Sequence, residues 1–249
     1  MRLARSLLDA GAIGRLHLMA WRVVGQLVPL SGTFSGTPWR QRPGYRGGAH
    51  LDAGVHNVAQ IRLLCGDAAK VHGAIQWANS TIDAPSDLTL NLEFDSGAIG
   101  NYTASYPELA VPREPNEMRM YGTDGVLVLN GARGERRVTL HRADGSHERH
   151  TFQGIDNGYH GELRNFADAV VHGEPVVGTI RQSFTNMLTI LRGLDSAEKG
   201  TVVSLADLAD GASGVSGVPL WRPRGASGLF DGLPGSHTVS SDQADGGEA

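Results

Sequence analysis

The sequence has one cysteine, Cys65, in 249 residues. A single thiol excludes an intramolecular disulfide and a cysteine-based zinc site, and it is typical of a reducing compartment, so the expected location is the cytoplasm. An excess of positive charge is also lacking, because 22 Lys and Arg stand against 26 Asp and Glu, for a formal net charge of -4. This balance argues against nucleic acid or an anionic membrane as a partner.

Long apolar runs are missing as well. A membrane span needs about 18 or more apolar residues, whereas the longest candidate, residues 16–30, contains an arginine, two other polar or helix-breaking residues and a proline. Asp9 and Gly11 lie where a signal peptide would have its apolar segment. The sequence therefore predicts a soluble chain without a secretion signal.

The common nucleotide-binding motifs are absent. No two of the 34 glycines are separated by a single residue, and no glycine directly precedes a lysine. These absences exclude the G-x-G core of a dinucleotide fingerprint and a phosphate-binding P-loop. Lysine itself occurs only at Lys70 and Lys199, so lysine-based chemistry has two candidates.

Apolar spacing predicts the elements of the first third of the chain. Residues 3–11 have the pattern of a short helix that ends at a glycine, and residues 16–24 alternate as a strand does. Residues 29–48 are rich in Gly, Pro, Ser and Thr and predict a long loop. From His50 to Cys65 apolar residues recur every three or four positions, which predicts an amphipathic helix.

The rest of the chain predicts a sheet followed by two helices. Seven short alternating segments, separated by turn residues, predict a largely antiparallel sheet and hence an α+β fold: 71–77, 88–94, 99–106, 117–121, 126–129, 138–141 and 147–152. The two helices are predicted at 159–172 and 179–199. The residues expected to face inward are Leu163, Phe166 and Val170 on the first helix, and Phe184, Met187, Leu188 and Leu191 on the second.

One polar stripe on the predicted helix after His50 is a candidate for chemistry. Asp52, His56 and Gln60 are spaced i, i+4, i+8, and Gly54 between them permits close approach of a ligand. A carboxylate can orient an imidazole, which exchanges a proton near neutral pH. The alternatives are a helix-capping Asp52 beside a solvated His56, or a metal site that uses both residues, with His50 pointing elsewhere on the helix.

Several segments together resemble a known family. Gly47-Gly48 followed by Leu51-Asp52, Gly54 and His56 is similar to the G-G-x-x-x-D-x-G-x-H segment of the glucose-fructose oxidoreductase/inositol dehydrogenase/rhizopine catabolism (Gfo/Idh/MocA) family of NAD(P)-dependent oxidoreductases. The resemblance extends in order over residues 3–205 through five further segments: 4–14, 39–43, 122–125, 159–166 and 195–200.

The resemblance implies a fold and an organisation. It implies that residues 1–205 are the family's C-terminal substrate-binding domain, an open sheet with helices packed on one face. Residues 206–249 are expected to be an extended connection and a disordered tail, because they have few large apolar groups. A sheet face that the helices leave uncovered is expected to be partly apolar and to join copies into a homo-oligomer.

The resemblance also implies residue roles. His56 is expected to exchange a proton with a hydroxyl or carbonyl of a sugar, cyclitol or similar small polar molecule, and Asp52 to orient it. Arg40, Gln60 and Tyr159 are expected to contact that substrate. The intact family enzyme uses NAD or NADP.

The chain departs from the family at two places. Ala49 stands at the third position of the usual triple glycine, and the cofactor-binding domain with its Glu-Lys-Pro segment has no counterpart here. No cofactor is therefore expected to bind to this chain alone, and the isolated chain is expected to be inactive. Three explanations stay open: a partner polypeptide that binds the cofactor, a truncated enzyme, and a non-catalytic sugar-binding or oligomerisation module.

Overall fold

The computed structural model describes residues 1–25, 36–108, 116–131, 134–155, 158–206 and 220–242. In these ranges the helices are α1 (Arg2–Asp9), α2 (Pro38–Gln41), α3 (Gly48–Asp52), α4 (Gly54–Cys65), α5 (Tyr159–His172) and α6 (Ile180–Lys199). The strands are β1 (Leu16–Val24), β2 (Ala68–Gln76), β3 (Asp87–Phe94), β4 (Ile99–Ser105), β5 (Glu117–Gly122), β6 (Gly125–Asn130), β7 (Glu135–Arg142), β8 (His147–Gln153), β9 (Val203–Ser204) and β10 (Ser236–Asp242). In these described ranges, no helix is both long enough and apolar enough to cross a bilayer.

The chain divides into two compact units. The first unit comprises Met1–His17, Glu117–Thr179 and Gly217–Ala249. Its strands follow the order β10-β8-β7-β6-β5 and all pair antiparallel. Its buried apolar residues come from α1 and the loop after it and from the central strands, and they include Ala4, Ile13, Met118, Met120, Leu127 and Leu140.

The second unit comprises Leu18–Asn116 and Ile180–Ser216. Its strands follow the order β1-β4-β3-β2-β9, in which β1 and β4 run parallel and the other pairs antiparallel. Alternation in β3 buries Leu88, Leu90, Leu92 and Phe94 on one face of this sheet. The α+β class and the mostly antiparallel open sheet predicted from the sequence are confirmed.

Helix α6 lies against the buried face of β2 at a pair of glycines. A Cβ atom added to Gly73 would lie 2.0 Å from the carbonyl oxygen of Gly193, so backbone meets backbone here. The hydroxyl of Ser196 accepts a hydrogen bond from the Gly73 amide (2.9 Å) and donates one to the carbonyl of Thr201 (2.5 Å). This close approach fixes the helix on one face of the second unit's sheet.

The other face of that sheet is mostly polar. The Asn101 amide donates to the Asn91 side chain (2.8 Å), and the hydroxyls of Thr89 and Thr103 lie 3.2 Å apart. Lys70 and Glu93 form an exposed ion pair near the same edge. The expectation of a partly apolar uncovered face is therefore wrong for this unit, and a homo-oligomer through this face stays a prediction.

The inward faces predicted for α5 and α6 are wrong. Leu163, Phe166 and Val170 of α5 are exposed, while Asn165 and Asp168 are buried. On α6 Phe184 is exposed, and Met187, Leu188 and Leu191 are only half-buried. The buried face of α6 consists largely of small or polar residues because the helix lies so close to β2: Thr185, Asn186, Thr189, Ile190, Gly193, Leu194 and Ser196.

Two further expectations differ from the structure. The helix predicted from His50 to Cys65 is divided at Ala53 into α3 and α4, although Ala53 keeps helical dihedral angles (φ -96°, ψ -34°). Of the predicted disordered tail, residues 236–242 form β10, which pairs along its length with β8. A polar segment can do this because an antiparallel partner strand, rather than burial of its own side chains, satisfies its backbone.

Candidate functional site

The helix that carries Asp52 begins at a glycine pair. Gly47 and Gly48 have φ values of +88° and +50°, a region that side-chain-bearing residues rarely adopt. A Cβ atom on Gly48 would also lie 2.4 Å from the Cβ atom of Ala84. The pair therefore turns the chain sharply into α3 and holds it against the loop before β3.

Asp52 is bound to Arg40. The guanidinium donates from Nε to the Asp52 carboxylate (2.9 Å) and from Nη1 to the hydroxyl of Thr37 (3.0 Å). Arg40 comes from the one-turn helix α2, which Pro38 begins with its fixed φ. The side chains of Arg40 and Asp52 are only 12% and 25% exposed, so a partly buried, oriented carboxylate results.

Two exposed aromatic rings border this ion pair. The guanidinium carbon of Arg40 lies 3.7 Å from the ring centroid of Trp39, and the Trp39 and Tyr45 centroids are 6.3 Å apart. Burial, and then the charge of Asp52, raise the pKa of the Tyr45 hydroxyl. The rings offer apolar surface beside a fixed carboxylate, an arrangement suited to a molecule with both hydroxyls and C–H faces.

His56 and Gln60 lie one and two turns further, on α4. His56 is exposed, and the Gln60 amide donates to the His56 carbonyl (3.2 Å). In the described part of the chain no hydrogen bond or ion pair joins Asp52 to His56. The structure thus brings Arg40 and Asp52 together, leaves His56 and Gln60 on the next turns, and places Tyr159 in the first unit.

A buried polar layer lies under α3 and α4, and spacing alone did not identify it. His50 is fully buried and its ring centroid lies 5.2 Å from that of Tyr106. Asn57 donates to the hydroxyl of Tyr102 (2.8 Å), and burial raises the pKa of Tyr102 to about 12. Tyr102 and Tyr106 alternate as core residues of a strand, and only the hydroxyl groups indicate a polar layer.

His50 is held neutral by its surroundings. Burial lowers its pKa to about 4, and the charge of Asp87 with the nearby backbone of Ser86 and Pro85 offsets only part of this shift. Neither ring nitrogen forms a hydrogen bond of regular geometry. The ring is therefore a buried base that acid must protonate against the cost of burial.

This burial predicts acid sensitivity. The pKa of His50 is lower in the folded chain than its ordinary value of 6.5, so the unfolded chain binds the extra proton and stability falls as the pH drops from 6.5 towards 4. We expect the free energy of unfolding to fall by about 2 to 3 kcal/mol across this window through His50. Urea unfolding at pH 7 and pH 4.5 measures it.

The matched variants are His50→Leu and His72→Gln. His50→Leu should flatten the pH dependence, whereas His72→Gln, at an exposed position on β2, should leave it as in the wild type. Equal slopes for the wild type and His50→Leu would show that His50 does not cause the acid sensitivity.

Metal binding has no further support at this site. In the ranges that the structure describes, no three His, Cys, Asp or Glu side chains come together in a group able to hold a metal ion. His50 is buried under the helix, away from exposed His56, as its position in the sequence suggested.

The comparison with known families decides the relationship. The GFO/IDH/MocA C-terminal domain matches residues 1–128 of the 249 in this chain. The chain belongs to the Gfo/Idh/MocA family. The resemblance seen in the Gly47-Gly48 to His56 segment is thereby confirmed.

Other Gfo/Idh/MocA-like proteins are similar over much of the chain. It is 31% identical over 169 residues to D-xylose 1-dehydrogenase (NADP(+)) 2 of Haloferax volcanii, which covers 66% of this chain and 50% of that enzyme. Levoglucosan dehydrogenase in complex with NADH and L-sorbose has a TM-score of 0.68 at 21% identity, covering 82% of this chain and 62% of that one. An oxidoreductase from Thermotoga maritima has a TM-score of 0.68 at 25% identity, covering 83% and 59%.

These matches also limit what the chain represents. It spans half the length of the curated relative and about three fifths of the two solved structures. The fold of the Gfo/Idh/MocA C-terminal domain is therefore present, whereas the activity of a whole enzyme is a matter for proposal.

Proposed function

We propose that this chain is the substrate-binding part of an NAD(P)-dependent oxidoreductase that acts on a hydroxyl or carbonyl of a sugar, cyclitol or similar small polar molecule. The observation that carries the proposal is the Asp52 carboxylate, fixed by Arg40 beside the exposed rings of Trp39 and Tyr45. The names of the two dehydrogenases above, which refer to D-xylose and levoglucosan, support a sugar as the substrate class.

The proposed roles follow from position and chemistry. His56, exposed on α4, accepts or returns the proton of the reacting hydroxyl. Asp52 accepts hydrogen bonds from substrate hydroxyls and helps to orient His56 or the substrate, while Arg40 holds that carboxylate in place. Gln60 and Tyr159 are further proposed contacts of the substrate.

The residues of this chain do not fit a dinucleotide. The sequence contains no G-x-G turn that would let a backbone approach the pyrophosphate. NAD or NADP is accordingly proposed to be held by a separate cofactor-binding polypeptide, and this chain alone is proposed to bind none. The same absence supports the second candidate function, a non-catalytic sugar-binding or oligomerisation module.

Sugar binding to the full chain tests the proposal. D-xylose, levoglucosan and L-sorbose are titrated by calorimetry, with thermal unfolding followed at the same concentrations. His56→Ala should weaken binding about threefold to tenfold, the effect of one lost hydrogen bond, and Asp52→Ala about tenfold or more, the effect of a charged one. His72→Gln, on the polar sheet face of β2, serves as the matched control.

Three results would contradict parts of the proposal. Saturable NADH or NADPH binding to the chain alone would overturn the claim that the cofactor site lies elsewhere. Sugar binding that is indifferent to Asp52→Ala and His56→Ala would overturn the assigned site. Absence of binding for all three sugars up to about 100 mM would overturn the substrate class.

A further inference from the structure

Helix α5 carries an exposed apolar stripe. Tyr159, Leu163, Phe166 and Val170, here named the α5 stripe, are each between 61% and 69% exposed. Their intervals of four, three and four residues place them on one face of the helix, in the spacing of a buried helical seam. The sequence pattern is thus that of a covered surface, although the side chains are open to solvent.

The stripe lies opposite the face that holds α5 in its unit. The Asn165 amide donates to the Pro175 carbonyl (3.0 Å) and its oxygen accepts from the Val177 amide (2.9 Å). The Asp168 carboxylate accepts from the Arg224 amide (3.4 Å). At about 100° per residue, the centre of the stripe is about 160° around the helix from Asn165 and Asp168.

Polar anchoring on one side and an apolar stripe on the other invert the usual amphipathic helix. A surface helix normally turns its apolar residues to its own core. Here the buried positions are Asn165 and Asp168, and none of the residues that the structure describes covers the α5 stripe. Exposed contiguous apolar surface of this kind marks an interface with another body.

We propose that the α5 stripe is the docking surface for a nicotinamide-nucleotide-binding domain that this chain does not contain. This inference rests on the proposed function, which needs such a domain beside the substrate-binding part. Levoglucosan dehydrogenase, which binds NADH, has 38% of its length (100% less 62%) without a counterpart in the match to this chain. That remainder supplies a specific occupant of the size of a domain.

The sequence of this chain strengthens the choice of occupant. It has no glycine-rich phosphate turn, so the dinucleotide site has to reach the substrate on a second folded body. A domain that stays in register with a substrate needs a well-packed apolar contact, and four large side chains on one helix provide it. The uncovered sheet face of the second unit is polar and offers no comparable apolar contact.

A fusion protein tests the docking. The part of levoglucosan dehydrogenase that has no counterpart here is joined to the amino terminus of the full chain, and hydrogen exchange of residues 159–172 is compared with that of the full chain alone. Docking should slow exchange in α5 about tenfold. The double variant Leu163→Glu/Phe166→Glu should abolish that protection, whereas Val239→Glu, an equally exposed apolar residue on β10, should leave it unchanged.

The alternative outcomes are distinct. Equal exchange in the fusion and in the full chain would overturn the proposal. So would a dimer of the full chain, seen by light scattering, that Leu163→Glu/Phe166→Glu converts to a monomer, because a second copy would then be the occupant. Thermal unfolding of the full-length double variant checks that it still folds. Failure of the proposed function would appear separately, as loss of sugar binding by the full chain without any fusion.

Discussion

Replacing Arg62 by alanine is expected to destabilise the second unit by about 3 to 5 kcal/mol, the cost of breaking a buried ion pair by removing one partner. Arg62 on α4 is 3% exposed, and it donates from Nε to Asp67 (2.8 Å) and from Nη1 to the Asn186 side chain (2.6 Å) and the Gln182 carbonyl (3.1 Å). The variant would leave a carboxylate and two further acceptors without this donor. Chemical unfolding at pH 7 measures the change.

Two comparisons identify the cause of the loss. Arg62→Lys keeps a positive charge but cannot reproduce the planar fork that reaches both α6 and Asp67, so it should recover only part of the stability. Lys70→Ala removes an exposed pair in which both side chains are more than half exposed, and it should cost at most about 1 kcal/mol. A loss for Arg62→Ala no larger than that for Lys70→Ala would show that the buried network contributes little.

Local patterns predicted the strands because burial follows the pleat. In β3 every second residue is apolar and buried, so a window of eight residues contains the whole signal. The inward face of α6 could not be predicted in this way. Its buried positions include Thr189, Gly193 and Ser196, whose small size suits a close approach to β2 that no local window contains.

The candidate site shows the same division. Spacing predicted that His56 and Gln60 lie on successive turns of one helix, which α4 confirms. It did not predict that Asp52 is held by Arg40, since that contact joins two short helices across a glycine-rich turn. The burial of His50 also depended on Tyr106, which is 56 positions later in the chain. Contacts across turns and strands determine which member of a polar stripe is free to meet a ligand.

Gly73→Ala should cost about 3 kcal/mol although alanine is the better residue in most strands. Where space allows, this substitution stabilises a protein by about 0.4 to 1 kcal/mol, because it restricts the unfolded chain. At Gly73 the new Cβ atom would lie 2.0 Å from the Gly193 carbonyl oxygen, and backbone cannot turn aside as a side chain does. The helix would have to move away from β2, which separates the Gly73 amide from the Ser196 hydroxyl and opens the apolar layer beneath.

The reciprocal variant separates backbone collision from simple crowding. In Gly193→Ala the new Cβ atom would meet Leu90 Cδ2 at 2.3 Å, and a leucine side chain can shift, so a smaller loss of about 1 to 2 kcal/mol is expected. Ala74→Ser, on the exposed face of β2, should change stability by less than about 0.5 kcal/mol. If Gly73→Ala were as stable as the wild type in thermal unfolding, α6 would not depend on the backbone contact at Gly193. Its position would then be set by the remaining contacts of α6, chiefly those of Arg62 with Asn186 and the Gln182 carbonyl.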